Sequence, residues 1–357
     1  MTQQGPIETL VIGSTGYVAG ELFRLLESHP VLKLTAALSR SRNGDSLSDI
    51  FPHLHGTHEG ITVGPIDSAR EHLSDSGPLA VFSALPHTHS ANHIDALLTA
   101  ADTSSRDLFC VDLSADFRLR NAMEFADVYN TTHPAPNRFD DFHFGLPDLS
   151  ADTKLRAVAQ PGCFTTAVTL GAAGLVQADL NSGPISVAAV TGSTGSGRTP
   201  TAGTHHPESH GGFRAYKPLD HRHTHEMRRL LKDISPHNAE PILRFVPHSG
   251  PFARGIHATL FATLKEAMNA DDLANALGEV FANSPFVTVQ TGPVSLKDVV
   301  GTNYCRIGVE TKGTEAVVFS CIDNLTKGSA GGAIQWMNRL IGVDPTTGLT
   351  QPALGWN

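Results

Sequence analysis

Hydrophobic runs of strand length, each closed by a turn residue and followed by an amphipathic stretch, organise the first third of this chain. Ile7–Ile12 is mostly apolar and breaks at Gly13, after which Glu21-Leu22-Phe23-Arg24-Leu25-Leu26 repeats its apolar positions at helical spacing. Leu32–Leu38 reads as a strand, as does Leu79–Leu85, which ends at Pro86-His87. Leu108–Leu113 is another, ending at Ser114-Ala115-Asp116-Phe117-Arg118, and a helix with Ile94, Leu97 and Leu98 inward precedes it. Strands alternating with helices predict an α/β fold with a parallel, doubly wound sheet. Beyond about residue 160 the pattern shifts to longer strands and scattered helices, one of them Asp271–Phe281, which predicts a second, α+β domain. A last helix, about Lys327–Ile341, returns to the first domain, and an irregular tail follows Gly342. The expected division is 1–160 plus 325–357 against 161–324.

The turn Gly13-Ser14-Thr15-Gly16-Tyr17-Val18 joins the first strand to the first helix. Strand, glycine turn and helix in that order suit a dinucleotide. Gly13 permits the tight turn, and Gly16 lets a pyrophosphate approach the unpaired N–H groups of the helix start. After the second strand come Ser39-Arg40-Ser41-Arg42, where an NAD site would carry a carboxylate for the ribose hydroxyls. Ser39, Arg40 and Arg42 suit a 2′-phosphate instead, so NADP(H) is the expected cofactor. Ligands of such sheets lie beyond the carboxyl ends of the strands, which adds Ser83, Pro86 and Ser114 to the cofactor set.

Candidate chemistry centres on Gln160-Pro161-Gly162-Cys163-Phe164-Thr165-Thr166, a proline-glycine turn that delivers a cysteine to the start of a small-residue helix. Unpaired N–H groups and the positive end of the helix dipole favour thiolate, the nucleophilic form. The same N–H groups could stabilise an oxyanion on a carbonyl that the sulfur attacks. Cys110, Cys305 and Cys321 lie in strand-like apolar runs and read as core. A partner base is needed beside Cys163, and His221-Arg222-His223, just before a helix, is the best candidate. The segment Thr191–Arg198 closes a strand, Ile185–Val190, and opens a glycine-rich loop to Gly212. Its backbone N–H groups, with Arg198, suit an anionic substrate.

Composition narrows the field. With 26 Lys+Arg against 35 Asp+Glu the net charge is −9 and no basic stripe stands out, which argues against nucleic acid. No apolar run approaches the roughly 18 residues of a membrane span. Four cysteines without paired spacing and an N-terminus without leader features suit the cytoplasm. Nineteen histidines cluster as His87/His89/His93, His205/His206/His210 and His221/His223/His225, yet none forms an H-E-x-x-H pattern or joins a cysteine pair, so no dedicated metal site is expected.

Together the segments resemble the N-acetyl-gamma-glutamyl-phosphate reductase family, within the aspartate-semialdehyde dehydrogenase superfamily. The match rests on Gly13-x-x-Gly16-Tyr17, Asp112-Leu113-Ser114-Ala115-Asp116-Phe117-Arg118, Pro161-Gly162-Cys163, Gly192–Arg198, His221–Glu226 and Asp323–Gly332, in the family's order and over nearly the whole chain. It departs at Phe164, where tyrosine is frequent, and at His225, where proline is usual. The resemblance implies a Rossmann-like NADP-binding domain beside an α+β catalytic and dimerisation domain. It implies NADPH-dependent reduction of N-acetylglutamyl 5-phosphate through a Cys163 thioester, in arginine biosynthesis, with His221 favoured over His223 as proton carrier. Asn324 and Lys327 are implied at the nicotinamide end; Arg118, Ser193, Arg198 and Arg254 become candidates for substrate phosphate or carboxylate. A homodimer or homotetramer acting on a small molecule follows. The alternatives are a sister acyl-phosphate reductase (aspartate-semialdehyde dehydrogenase or aminoadipyl-phosphate reductase) and a non-catalytic NADP-binding sensor.

Overall fold

The structure, a computed structural model, describes residues 5–151 and 153–355. Residues 1–4, on which the expectation of no leader falls, and the last two of the tail lie outside it. The chain divides into two compact units. The first holds residues up to 145, 151–160 and 330–350; the second holds 146–150, 161–329 and the residues from 351 on.

The first unit is a seven-stranded sheet in the order β3-β2-β1-β4-β5-β7-β6. Its strands are β1 (Ile7–Ile12), β2 (Leu32–Ser39), β3 (Val63–Pro65), β4 (Leu79–Ser83), β5 (Leu108–Asp112), β6 (Phe142–Phe144) and β7 (Ala157–Ala159). Every pairing is parallel. The central strands must therefore be apolar on both faces, and β4 is buried at each position. The helices α1 (Tyr17–Glu27), α2 (Leu47–Ile50), α3 (Ser90–Asp102) and α4 (Ala122–Tyr129) alternate with the strands. The inner face of α3 carries Ile94, Leu97 and Leu98, all buried, as the periodicity predicts. The C-terminal helix, Gly331–Leu340, also belongs here; Trp336 donates to Gly145 O at 3.0 Å and Asn338 meets His29 at 3.0 Å. Strand order reverses between β1 and β4, with Ile12 beside Ser83, so a ligand crevice is expected at their carboxyl ends.

The second unit is a mixed seven-stranded sheet, β12-β13-β14-β11-β8-β10-β9. It contains β8 (Ile185–Thr191), β9 (Arg214–Ala215), β10 (Leu243–Ser249), β11 (Ile256–Thr263), β12 (Val287–Thr291), β13 (Cys305–Lys312) and β14 (Glu315–Ile322). Its helices are α5 (Cys163–Gln177), α6 (His206–Ser209), α7 (His223–Ile234) and α8 (Ala270–Glu279). α5 packs on β11 and β14 and is flanked by α7 and α8. It is buried all round from Phe164 to Val176, because its many Ala, Gly and Thr side chains let neighbours close in on every side. The expected last helix starts instead as a π-turn, Thr326–Ala330, before becoming α-helical at Gly331. That turn stays with the second unit, so the chain crosses back at 330 rather than 325. The reason is the fully buried Asp323, whose Oδ1 accepts the Leu325 and Thr326 N–H groups at 2.8 Å each and ties the turn to β14.

Candidate active site

Gly162 is the N-cap of α5 and Cys163 its first residue. Gly162 has ordinary extended dihedrals (φ −66°, ψ 157°), so conformational freedom does not explain the glycine. Space does: a Cβ there would lie 2.4 Å from His223 Nε2. The imidazole of His223 is thus laid against the backbone that carries the cysteine. Cys163 is half-buried, whereas Cys110, Cys305 and Cys321 are buried and sit in strands, as expected. Burial pushes the Cys305 thiol up to about 12 and raises Cys110 and Cys321 likewise, so none of the three is primed as a nucleophile.

Glu226 holds this arrangement. Its Oε2 accepts the Gly162 N–H at 2.9 Å and the Thr165 hydroxyl at 2.7 Å, and the residue is 1% exposed. A carboxylate at N3 of a helix often reaches back to its own N-cap; here the carboxylate comes from a different helix, α7. Two charge-assisted bonds and the positive helix end repay much of its desolvation, at about 1.5–3 kcal/mol per bond. Sequence reading gave Glu226 no role. The signal was available: three residues on from His223, it shares a helix face with it, and both are buried while His225 is exposed.

His221 lies behind His223. Its Nδ1 accepts the His223 N–H at 3.2 Å, and the two rings meet edge-on at 4.7 Å. Phe164, Tyr216 and Phe245 surround it, each ring centroid 5.7 Å away. Burial, then the Arg222 charge, push His221 down to about 4, so it stands neutral at ordinary pH. Tyr216 was missed by the sequence reading. Burial, and then the neighbouring Cys163 sulfur, hold its phenol well above the ordinary value.

The wall behind Cys163 is the π-turn. Gly328 N donates to Asp323 O at 2.9 Å, and a Cβ on Gly328 would lie 2.8 Å from Cys163 Cβ. Arg254 grips Asp323 through Nε (2.9 Å) and one terminal nitrogen (3.0 Å), which also donates to Thr326 Oγ1 at 3.0 Å. The Asn324 amide accepts from Gly255 N at 2.7 Å and donates to Thr194 Oγ1 at 3.0 Å. Lys327, expected beside the cofactor, is 1% exposed and its ammonium reaches Asp148 at 2.6 Å. These residues build the wall from inside it. The glycine-rich loop also differs from expectation. The N–H groups of Ser193, Thr194, Gly195 and Gly197 go to the carbonyls of Phe252, Ala253, Gly192 and Thr194, so they are not offered to an anion. Arg198 is exposed, while Arg118, in the first unit, is buried and donates to Leu113 O at 2.7 Å.

The nucleotide loop of the first unit fits a dinucleotide. Gly13 has φ +90°, and a Cβ there would strike the Ala84 backbone at 2.7 Å, so only glycine lets β1 turn this close to the end of β4. Gly16 caps α1 with no side-chain bond to the first-turn N–H groups, and the space above its Cα is open. Thr15, Val18 and the exposed Tyr17 flank that opening. Ser14, Ser83 and Ser114 face inward: Ser14 Oγ donates to Leu38 O (2.6 Å), Ser83 meets Ser90 (2.7 Å) and Ser114 donates to Asp112 (2.7 Å). Pro86, just past β4, is exposed. Ser39 Oγ accepts the Ser41 N–H at 3.2 Å; Arg40 is exposed and Arg42 pairs with Asp45. Among the described residues, the metal-capable group whose ligand atoms converge is Glu8, His72 and Asp75. The buried Arg106 guanidinium already answers it, 2.6 Å from Glu8.

A cysteine at a helix start in one unit and a glycine turn suited to a dinucleotide in the other are the parts a semialdehyde dehydrogenase needs. Family models agree: "Semialdehyde dehydrogenase, NAD binding domain" matches residues 8–157 and "Semialdehyde dehydrogenase, dimerisation domain" residues 163–324. Aspartate semialdehyde dehydrogenase II of Vibrio cholerae shares the fold at a TM-score of 0.68 and 13% identity, over 95% of this chain and 99% of that one. The aspartate semialdehyde dehydrogenase of Candida albicans, solved with NADP, gives 0.64 at 15% identity, over 95% and 99%. Sequence resolves the branch. The N-acetyl-gamma-glutamyl-phosphate reductase of Cellvibrio japonicus is 38% identical over 98% of this chain and 99% of its own length. That of Alkalilimnicola ehrlichii is 37% identical, again over 98% and 99%. The chain belongs to the N-acetyl-gamma-glutamyl-phosphate reductase family. No helix among the described residues is long and apolar enough to cross a membrane.

Proposed function

We propose that this chain reduces N-acetyl-L-glutamyl 5-phosphate to N-acetyl-L-glutamate 5-semialdehyde and phosphate, the step its relatives are named for, in arginine biosynthesis. The observation that carries the reading is the start of α5, where the His223 imidazole lies against Gly162 and Glu226 accepts the Gly162 N–H, one residue before Cys163. Cys163 Sγ attacks the acyl carbon, the bond to the phosphate oxygen breaks, and phosphate leaves behind a thioester. Held by Gly13, Gly16 and the first turn of α1, NADPH would supply the hydride by which the Cys163 thioester carbon becomes a thiohemiacetal. His223 gives a proton to the developing oxyanion and takes it back as the carbon–sulfur bond breaks, releasing aldehyde and restoring the thiolate. We assign this role to His223 rather than His221 because His223 faces the cysteine-bearing backbone. His221, kept neutral behind it, orients it by accepting its N–H. Glu226 fixes the helix start. Gly13, Gly16 and the first turn of α1 cradle the pyrophosphate, and Arg40 with Ser39 serves the 2′-phosphate. The exposed Arg198 takes substrate phosphate or carboxylate, the buried Arg118 is a second candidate for such a group, and Arg254 supports the wall. The chain works in the cytoplasm as a homodimer or homotetramer.

The direct test is phosphate-dependent reduction of NADP by N-acetylglutamate semialdehyde, with aspartate semialdehyde as comparator and Cys163→Ser as control. Turnover with the acetylated substrate, lost in the variant, is expected. Preference for aspartate semialdehyde moves the substrate to the sister branch; tight NADP binding without turnover brings forward the sensor.

A further inference from the structure

The π-turn that backs Cys163 carries a buried charge that the reaction does not use. Lys327 and Asp148 are 1% and 0% exposed at their side chains, and Nζ lies 2.6 Å from Oδ2. The other carboxylate oxygen accepts the Ser284 hydroxyl at 2.7 Å, and the ammonium stands 5.2 Å from the centroid of the buried Phe286 ring. Taking an ammonium and a carboxylate out of water is costly, and an apolar pair of equal volume holds a fold together at least as well. Such a pair is better suited to fixing one arrangement among several than to adding stability. A π-turn needs that help, since its wide hydrogen-bonded ring competes with the α-helix that continues it at Gly331.

What the turn fixes is the nucleophile. Gly328, next to Lys327, lies against Cys163 so closely that a Cβ would come within 2.8 Å of Cys163 Cβ and 3.1 Å of its Cα. A slip of the turn toward α-helical register would rotate Gly328 out of this contact. Asp323 and Arg254 hold the turn at its start, and the Asp323 carbonyl accepts the Gly328 N–H at 2.9 Å; Lys327, between these points, has a second anchor of its own. Asp148 supplies that anchor from residues 146–150, a short piece of chain that joins the second unit although both its flanks belong to the first. We infer that the Lys327–Asp148 pair is a positioning device for Cys163, acting through Gly328, and that residues 146–150 dock into the second unit to complete it. This rests on Cys163 being the nucleophile.

The test replaces the pair by apolar residues, Lys327→Met with Asp148→Leu, in the full-length chain. Two readouts are taken: steady-state kinetics, and the pH dependence of Cys163 alkylation by iodoacetamide without cofactor. The expected result is a folded protein whose kcat falls at least tenfold, with KM for the semialdehyde and Kd for NADP within twofold, and whose alkylation midpoint moves by half a pH unit or more. Should the double variant fail to fold, Lys327→Arg keeps the charge while enlarging the buried group, and a threefold to tenfold loss of kcat with the same alkylation shift is expected. Wild-type kcat and an unmoved midpoint in either folded variant would overturn the inference and leave the pair structural. Failure of the underlying reading is distinct, because wild-type protein would then show no turnover that depends on Cys163.

Discussion

Two helix starts in this molecule use one backbone device for different ends. Both α1 and α5 follow a strand and are capped by a glycine in extended conformation, at φ −88° for Gly16 and −66° for Gly162, which has no side chain of its own to cap the helix. At Gly16 nothing lies within 4 Å of where a Cβ would stand. At Gly162 the His223 imidazole fills that place. The first helix start is left open and suits an anion brought from outside. The second is closed over by an imidazole and a carboxylate, and carries at its first residue Cys163, the proposed nucleophile. A helix N-terminus is thus a generic electrostatic asset. What stands on the capping glycine decides whether it binds or reacts.

The comparison breaks most sharply at the sulfur. Cys163→Ser should lower kcat on the order of 10⁴-fold, as loss of a covalent nucleophile does, while NADP affinity is unchanged. Loss of NADP binding in that variant, measured by fluorescence titration, would show that the two helix starts do not work separately. The capping glycines give the next contrast. Gly162→Ala must displace His223 and should cost about 10²-fold in kcat and about 1–3 kcal/mol of stability. Gly16→Ala meets no atom, so the fold should be untouched and the effect confined to a raised KM for NADP. Equal effects on kcat from both substitutions would contradict the difference drawn between the sites.

Glu226→Gln sharpens the picture from the carboxylate side. Both bonds, from Gly162 and Thr165, go to the one oxygen Oε2, and a glutamine oxygen can accept both, so the variant should fold, with kcat roughly tenfold lower and stability down by about 1–3 kcal/mol for the lost charge. Rescue of folding without rescue of kcat would separate the charge from the hydrogen bonds. Glu226→Ala, which loses both, should be worse on each measure.

How much of this was legible in the chain depends on the range of the interaction. The strand-turn-helix units of the first unit were plain because each is local: β1 begins and ends at Ile7 and Ile12 as the apolar run does. Cys163 was legible for the same reason, since helix start and cysteine adjoin. The choice between His221 and His223 was not. Both precede or open α7, and only a contact across some sixty positions, from His223 to Gly162, separates them. The resemblance implied Lys327 at the nicotinamide end; its buried partner, Asp148, was not legible, because it stands far away in sequence in an unremarked Leu-Pro-Asp-Leu segment. Gly13 was read for conformational freedom and Gly16 for close approach, whereas the closeness that Gly162 and Gly328 serve is to residues brought from far along the chain.

The smallest effect expected is a pH dependence of stability set by buried histidines. His221 in the second unit is pushed down to about 4, burial being the largest cause, and so is His29 in the first, against an ordinary value of 6.5. A lowered folded-state value means that the unfolded chain takes up protons first as pH falls. Each histidine's contribution is therefore intact above about 6.5 and is lost progressively as pH falls from there toward 4. For one such group the loss amounts to roughly 1 kcal/mol by pH 5.5. Replacing His221 by phenylalanine should remove its share, so that the drop in Tm between pH 7 and 5.5 becomes shallower. The His29 share persists, because its Nδ1 accepts the Leu32 N–H at 2.9 Å and its Nε2 meets Asn338. A protonated His29 would have to break the first of these bonds. Identical Tm profiles for wild type and His221→Phe would mean that the ring is hydrated in solution and that the cage of Phe164, Tyr216 and Phe245 opens. His221 could then exchange protons with water, and the reason for preferring His223 as the proton carrier would weaken.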